Sequence, residues 1–390
     1  MSGDAIVRMD LHPVFVPFNE RVRALLQGGF GQVAMALRTE DHWLGADLLY
    51  CRLTTESGVT GVGESYVWAV EGGTTPDIMA ATIRDHLARF VMGRSPFEIE
   101  AIKTKFVDNL ARNELAKGII DMALCETAAR IIERPVHHLF GGAQIDRIPT
   151  ARVVPLSDIE TITFLVQQML DAGIKTIRCK LGGGVERDAA IIKAVRELIG
   201  PTAGLRVDYN QAYPANKALA SITAIEPYGI DFAEQPVPTD DFAGMAWLQS
   251  RTNVPLMAHE SAFGLRDLST LAEMGAVRCF GLNGERPGGM AEAVKAIDYA
   301  AMRGIDVCLH NQPGGIGSAM MLHLHACRAR DIIHATELQG QDMLEHSLIK
   351  DSIVFEDGMA HLPEGPGWGV DLDMDAIEKY QTSETITIKA

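Results

Sequence analysis

At 390 residues, with 47% hydrophobic and 22% charged side chains, the chain has enough apolar material for a large core and is too long for one ordinary single-core domain. Its net charge of −16, from 51 acidic against 35 basic residues with no long run of either sign, disfavours nucleic acid and anionic membrane surfaces as partners, and no segment approaches the roughly 20 apolar residues of a membrane span. The six cysteines (Cys51, Cys125, Cys179, Cys279, Cys308, Cys327) form no C-x-x-C pair, and the N-terminus, carrying Asp4 and Asp10, lacks the apolar stretch of a secretory signal, so a reducing cytosol is expected.

In chain order, Phe18–Leu44 carries Gly28, Gly29 and Gly31 without a sustained period and reads as a long loop of the kind that serves as a lid. Leu48–Leu53 and Gly61–Tyr66 read as strands joined by a turn at Ser57-Gly58. Helical spacing of apolar residues follows through Ile78–Phe90, Phe97–Leu110 and Leu115–Ile132, the last stopping before Pro135. Residues 1–142 are therefore expected to form an α+β cap. After Gly141-Gly142 short strands alternate with amphipathic helices, with strands near Pro149–Pro155, Thr176–Leu181, Leu205–Tyr209, Asp231–Gln235, Pro255–His259, Cys279–Leu282, Asp306–His310 and His334–Leu338. Strands with helical crossovers in that number predict a (β/α) barrel of seven to eight units over 143–345, in preference to a doubly wound sheet, with 346–390 as a C-terminal tail.

Polar residues fall in phase with those strands. Lys180, Asp208, Glu234, Glu260, Asn283, His310 and Glu337 stand at or just beyond successive strand ends, 23 to 28 residues apart, about one βα unit each. In a barrel such positions converge on the mouth where active sites of this architecture lie. Three consecutive carboxylates, Asp208, Glu234 and Glu260, would repel one another without a cation among them, and hard oxygen donors suit magnesium. Arg178 and Lys180 are two apart on one strand and so share a face. A lysine beside another cation in a water-poor cleft has its ammonium form disfavoured and can act as a base. His310, on the seventh strand, is placed to act on the other face of a bound substrate as second base or as general acid. His323 and His325 face apart on a helix, His137 and His138 are adjacent in sequence, and Gly182-Gly183-Gly184 lacks the lysine and serine of a phosphate loop, so none is read as a site.

These residues resemble the enolase superfamily, in particular its mandelate racemase and muconate lactonizing enzyme branch. The resemblance rests on Ala116–Leu124 continuing to Leu139-Phe140-Gly141-Gly142, on Arg178-Cys179-Lys180 in place of Lys-x-Lys, on Val207-Asp208-Tyr209-Asn210, on Ala233-Glu234-Gln235-Pro236, and on Gly365-Pro366-Gly367 in a tail that returns to the cap. It implies a TIM-type barrel with a cap, a magnesium ion, and removal of the proton α to a substrate carboxylate to form an enolate that the ion and nearby cations stabilise. On that reading Lys180 is the base and His310 its catalytic partner, Asp208, Glu234 and Glu260 hold the metal, and Arg178, Asn210, Asn283 and Glu337 contact the substrate. The sequence departs from the family pattern at three places. Asn283 replaces the catalytic lysine or aspartate of strand six, Arg178 replaces the first lysine, and the third ligand position reads Ala258-His259-Glu260-Ser261, where Glu260 is preferred to His259 because magnesium favours oxygen.

With one clear base and a histidine lacking a supporting aspartate, dehydration of a hydroxy or sugar acid is the leading expectation. A racemase, epimerase or cycloisomerase acting through the same enolate is the alternative, and a carboxylate-binding barrel without turnover is a third. The expected partners are a small-molecule carboxylate and further copies of the same chain.

Overall fold

The computed structural model describes residues 3–27, 44–310 and 314–390, and begins with a 12-residue strand, β1 (Ile6–Pro17). The sequence pattern does not announce it, because Arg8, Asp10, His12 and Pro13 interrupt the apolar run. Asp10 and His12 are buried against partners from the far end of the chain: Thr387 Oγ1 donates to Asp10 Oδ1 at 2.6 Å, and His12 Nδ1 meets Thr385 Oγ1 at 2.9 Å. β1 pairs antiparallel with β2 (Gly45–Thr55) on one side and with the C-terminal strand Ile386–Lys389 on the other, and β2 pairs with β3 (Thr60–Tyr66). The first part of the expected loop is a helix, Glu20–Gln27; the rest of that loop, 28–43, lies outside the described residues, and the lid expectation with it.

The helix Glu114–Ile131 packs flat on the β2–β3 hairpin and is buried over most of its length. Glycines make that approach possible. A Cβ on Gly63 would collide with the Ile119 carbonyl, and one on Gly61 with Thr127. Gly63→Ala is therefore expected to lower unfolding stability by about 1–3 kcal/mol through overpacking, measured as a drop in denaturant midpoint at unchanged slope.

Eight parallel strands follow: β4 (Arg147–Val154), β5 (Thr176–Lys180), β6 (Gly204–Asp208), β7 (Ala233–Glu234), β8 (Leu256–Ala258), β9 (Cys279–Leu282), β10 (Asp306–Leu309) and β11 (Thr336–Glu337). Each from β4 to β9 pairs with the next, and β11 pairs back onto β4. A single parallel bridge between His310 and Glu337 joins β10 to β11 and closes the ring. Within it, Phe232, Met257, Cys279 and Cys308 from four consecutive strands pack into one apolar layer. Arg206 lies over the Phe232 ring and donates to the Cys308 sulfur and, at 2.7 Å, to the Ala335 carbonyl. This layer lies below the polar strand ends.

The tail adds a short hairpin, Phe355–Glu356 with Met359–His361, antiparallel to the start of β4. It then sends Trp368 into the cap, where the indole N–H donates to the Val62 carbonyl at 2.9 Å. Two buried polar ties bolt cap to barrel. Lys103 bridges Asp121 (3.2 Å) and Glu292 (2.6 Å), and Glu64, bonded by the Tyr50 hydroxyl, accepts the Ile316 amide at the start of the helix after β10. The cap is thereby held over the open end of the barrel. No helix among the described residues is long and apolar enough to cross a membrane.

Candidate active site

Strand alternation determines what faces the barrel mouth. Two residues beyond the apolar floor on β7, β8 and β10 come Glu234, His259 and His310, and four residues beyond Cys279 comes Asn283. Arg178 and Lys180 on β5, and Asp208 above Arg206 on β6, complete the inward ring. All are buried. Glu260 is not in this phase: it lies one residue after His259, in the turn that follows β8, and reaches the same space from the side.

Arg178 is the hub. One guanidinium nitrogen donates to Glu337 at 2.8 Å and the other to both Asp208 and Glu234, the latter at 2.6 Å. These carboxylates hold its proton well above the ordinary arginine range despite burial. Lys180 donates from Nζ to Asp208 Oδ2 at 2.6 Å and to the Asn210 side-chain carbonyl, while Asn210 donates onward to Glu260 Oε1 at 3.1 Å. The turn after Lys180 is braced from beneath. Fully buried Asp188 accepts the Gly182 and Gly183 amides on one oxygen and the Tyr213 and Ser221 hydroxyls on the other.

On the far side, the His259 and His310 rings stack at 4.6 Å. His259 Nε2 contacts the Asn283 carbonyl oxygen at 2.9 Å and lies 3.0 Å from Arg286, which itself pairs with Glu71 of the cap at 3.0 Å. His259 Nδ1 sits 3.3 Å from Glu234 and 3.4 Å from Glu260.

The electrostatics follow from burial first and neighbours second. Burial, with Asp208 and Glu260 adding repulsion against the attraction of Arg178, pushes the Glu234 carboxyl up to about 8. For Asp208 burial acts the same way, but Lys180 and Arg178 outweigh it and the carboxyl lies below its ordinary range. Burial and then the cations around it, His259 foremost, hold His310 well below the usual imidazole value. His259 is raised, because Glu260, Glu234 and Glu71 overcome burial and Arg286.

The sequence-derived set is thus gathered at one mouth: Lys180, Arg178, Asp208, Asn210, Glu234, Glu260, Asn283, His310 and Glu337 are linked by direct contacts or stand on adjacent strand ends. Asp208 differs from the other two carboxylates in having its oxygens occupied by Arg178, Lys180 and the Asn210 amide. Glu234 Oε2, Glu260 Oε2 and His259 Nδ1, by contrast, are buried without a hydrogen-bond partner. A buried polar atom left unpaired costs roughly 1–3 kcal/mol, and two carboxylate oxygens in that state beside a third carboxylate fit a divalent cation. Glu71, Arg286 and Gln339, which donates to Glu337 at 2.9 Å, were not singled out by sequence. Arg286, a lone cation three residues past Asn283, left a faint signal; Glu71 reaches the site from the cap and left none.

The structure thus presents a (β/α) barrel with a lysine, a histidine and buried carboxylates gathered at its capped mouth. Two family models cover the chain accordingly: "Enolase C-terminal domain-like" matches residues 162–376 and "Mandelate racemase / muconate lactonizing enzyme, N-terminal domain" matches 33–141. The chain belongs to the mandelate racemase and muconate lactonizing enzyme family of the enolase superfamily. It is 31% identical to muconate cycloisomerase 1 of Rhodococcus opacus over 85% of this chain and 90% of that one. It is 26% identical to the N-succinyl-L-Arg/Lys racemase of Bacillus cereus (86% and 90%) and 28% to the hydrophobic dipeptide epimerase of Enterococcus faecalis (83% and 92%). Among solved structures, muconate lactonizing enzyme from Pseudomonas fluorescens complexed with muconolactone superposes with TM-score 0.87 at 27% identity, covering 97% of this chain and all of that one. The Bacillus cereus racemase superposes with TM-score 0.89 over 99% of this chain and all of that one at 22% identity, a likeness of fold. The chain is accordingly an enzyme, and the reading as a barrel without turnover is not retained.

Proposed function

We propose that this enzyme is an isomerase that removes the proton α to the carboxylate of a small organic acid and returns a proton to the resulting enolate, in the manner of a racemase or epimerase; cycloisomerisation shares the same first step. The observation that carries the proposal is the presence at one buried mouth of two separate proton carriers, Lys180 on β5 and His310 just beyond β10, around the carboxylates and cations centred on Arg178. The relatives named above are a cycloisomerase, a racemase and an epimerase, which supports isomerisation over the dehydration expected from sequence.

Lys180 takes the α-proton on Nζ, and the C–H electron pair passes to the substrate carboxylate oxygens. Asn210 and Asp208 aim that nitrogen, and Asp188 holds the turn behind it. Arginine stays protonated, so Arg178 contributes fixed charge and orientation, with Glu337 and Asn283 lining the acid's place. His310, largely neutral when buried, exchanges a proton on the opposite side. Asp208, Glu234 and Glu260 would hold a divalent cation, magnesium on the family resemblance. Such an ion supplies concentrated positive charge where negative charge gathers on the substrate.

The test is incubation of the cation-loaded enzyme in deuterated water with a panel of N-acylated amino acids, dipeptides, muconates and hydroxy acids. The expected result is deuterium at the α-carbon of an accepted acid with inversion, or ring closure for a diene acid, and no loss of hydroxyl. Formation of a keto acid would return the assignment to dehydration.

A further inference from the structure

Among the buried polar atoms without a partner are two donors whose side chains meet at one point of the mouth: the Asn283 amide nitrogen Nδ2 and the Arg286 guanidinium nitrogen Nη1. Asn283 is fully buried and Arg286 is 2% exposed. Both side chains are held by their other atoms. Asn283 Oδ1 meets His259 Nε2 at 2.9 Å, and Arg286 Nη2 lies 3.0 Å from that same nitrogen. Arg286 Nη2 also donates to Glu71 of the cap at 3.0 Å, and the guanidinium lies over the Phe263 ring at 4.6 Å. The backbone N–H of Asn283 donates to the Arg286 carbonyl at 3.1 Å, which fixes the turn between the two. Donors buried in fixed positions are costly to leave unpaired, and what each lacks is an acceptor.

We propose that Asn283 and Arg286 form a subsite for the carbonyl oxygen of an acyl group on the substrate's α-nitrogen, so that the acids isomerised by this enzyme are N-acyl amino acids. The proposal rests on the isomerase reading above and names its substrate class. Asn283 follows β9, next to the strand that carries His310. A side-chain amide there carries no proton to and from carbon and offers only a fixed donor and a fixed acceptor, of which the acceptor is already turned to His259. A second substrate carboxylate is disfavoured on this wall, because Glu71, Glu234 and Glu260 already lie within 3.8 Å of His259 Nδ1 and the Arg286 charge is offset by Glu71. An ammonium group brings N–H donors to N–H donors and leaves both unpaired. A neutral carbonyl oxygen, with two lone pairs, suits both.

The test follows α-deuterium exchange by the cation-loaded enzyme on two matched series spanning a range of side chains, N-acetyl amino acids and the N-ethyl amino acids that keep the length but lack the carbonyl. By kcat/KM the N-acetyl forms are expected to exchange at least about a hundredfold faster, since the N-ethyl forms leave two buried donors unpaired. Asn283→Asp, which exchanges a donor for an acceptor, should turn the preference toward the N-ethyl ammonium forms. Arg286→Met should raise KM for the N-acetyl series and leave that for the N-ethyl series nearly unchanged. Thermal melts report that each variant folds. Equal exchange of the two series by the parent enzyme, exchange confined to dicarboxylic or hydroxy acids, or an acyl preference that persists in both variants overturns the proposal and leaves the isomerase reading standing. Absence of α-exchange on every acid, or release of a keto acid, overturns both.

Discussion

Replacement of Lys180 by alanine is expected to slow α-proton exchange on an accepted substrate by about 10²–10⁴-fold, the usual contribution of a positioned acid or base. Lys180 is buried, its nitrogen is held at 2.6 Å from Asp208, and Asn210 accepts on another direction, so its orientation is set before substrate arrives. Loss of the side chain removes both a base and a partner of Asp208, and a second variant separates the two. Lys180→Arg keeps a cation beside Asp208 but cannot give up its proton near neutral pH. It should preserve the melting temperature and the cation affinity while exchange remains as slow as in Lys180→Ala. Exchange persisting at the parent rate in either variant would remove Lys180 from the role of base.

The second large effect is on stability. Arg178 is the shared partner of Asp208, Glu234 and Glu337, all nearly inaccessible to water. Arg178→Met leaves those buried carboxylates without their common counter-charge, and truncating one side of a buried pair typically costs about 3–5 kcal/mol. The variant should unfold at a lower denaturant midpoint with unchanged slope. The sign of its pH dependence follows from Glu234, whose carboxyl is already pushed up to about 8 by burial and by the neighbouring acids. Without the guanidinium the folded state binds protons more readily than the unfolded chain, so stability is recovered as pH falls and lost as it rises. A divalent cation should restore part of the loss at neutral pH by replacing the missing charge. Stability equal to that of the parent chain at pH 7 without added cation would show that Arg178 is not the hub of this charge cluster.

The barrel was legible because its chemistry repeats at the spacing of its structure. Lys180, Asp208, Glu234, Asn283, His310 and Glu337 mark strand ends one βα unit apart, and parallel strands buried on both faces leave apolar runs that stand out between amphipathic helices. The β2–β3 hairpin and the helix Glu114–Ile131 were visible for similar local reasons. β1 was not, since Asp10 and His12 break its pattern and the groups that satisfy them, Thr387 and Thr385, lie more than 370 residues away in sequence. The direction in which His259 points was open to a finer reading. Alternation from Met257 turns His259 inward, but that requires knowing that Met257 belongs to the apolar floor with Phe232, Cys279 and Cys308.

The sequence by itself determined the family, the barrel with its cap, and the side chains at the barrel mouth, because strand period and βα spacing are local properties of the chain. Tertiary structure decided how those side chains are connected: Arg178 joining three carboxylates, Asp208 engaged while Glu234 and Glu260 keep free oxygens, His259 aimed between them, and Glu71 of the cap paired with Arg286 of the barrel. These are contacts between distant segments, set by ring closure and by the docking of the cap. A carboxylate's charge state and availability depend on which buried neighbours it meets, and that is a property of the folded site as a whole.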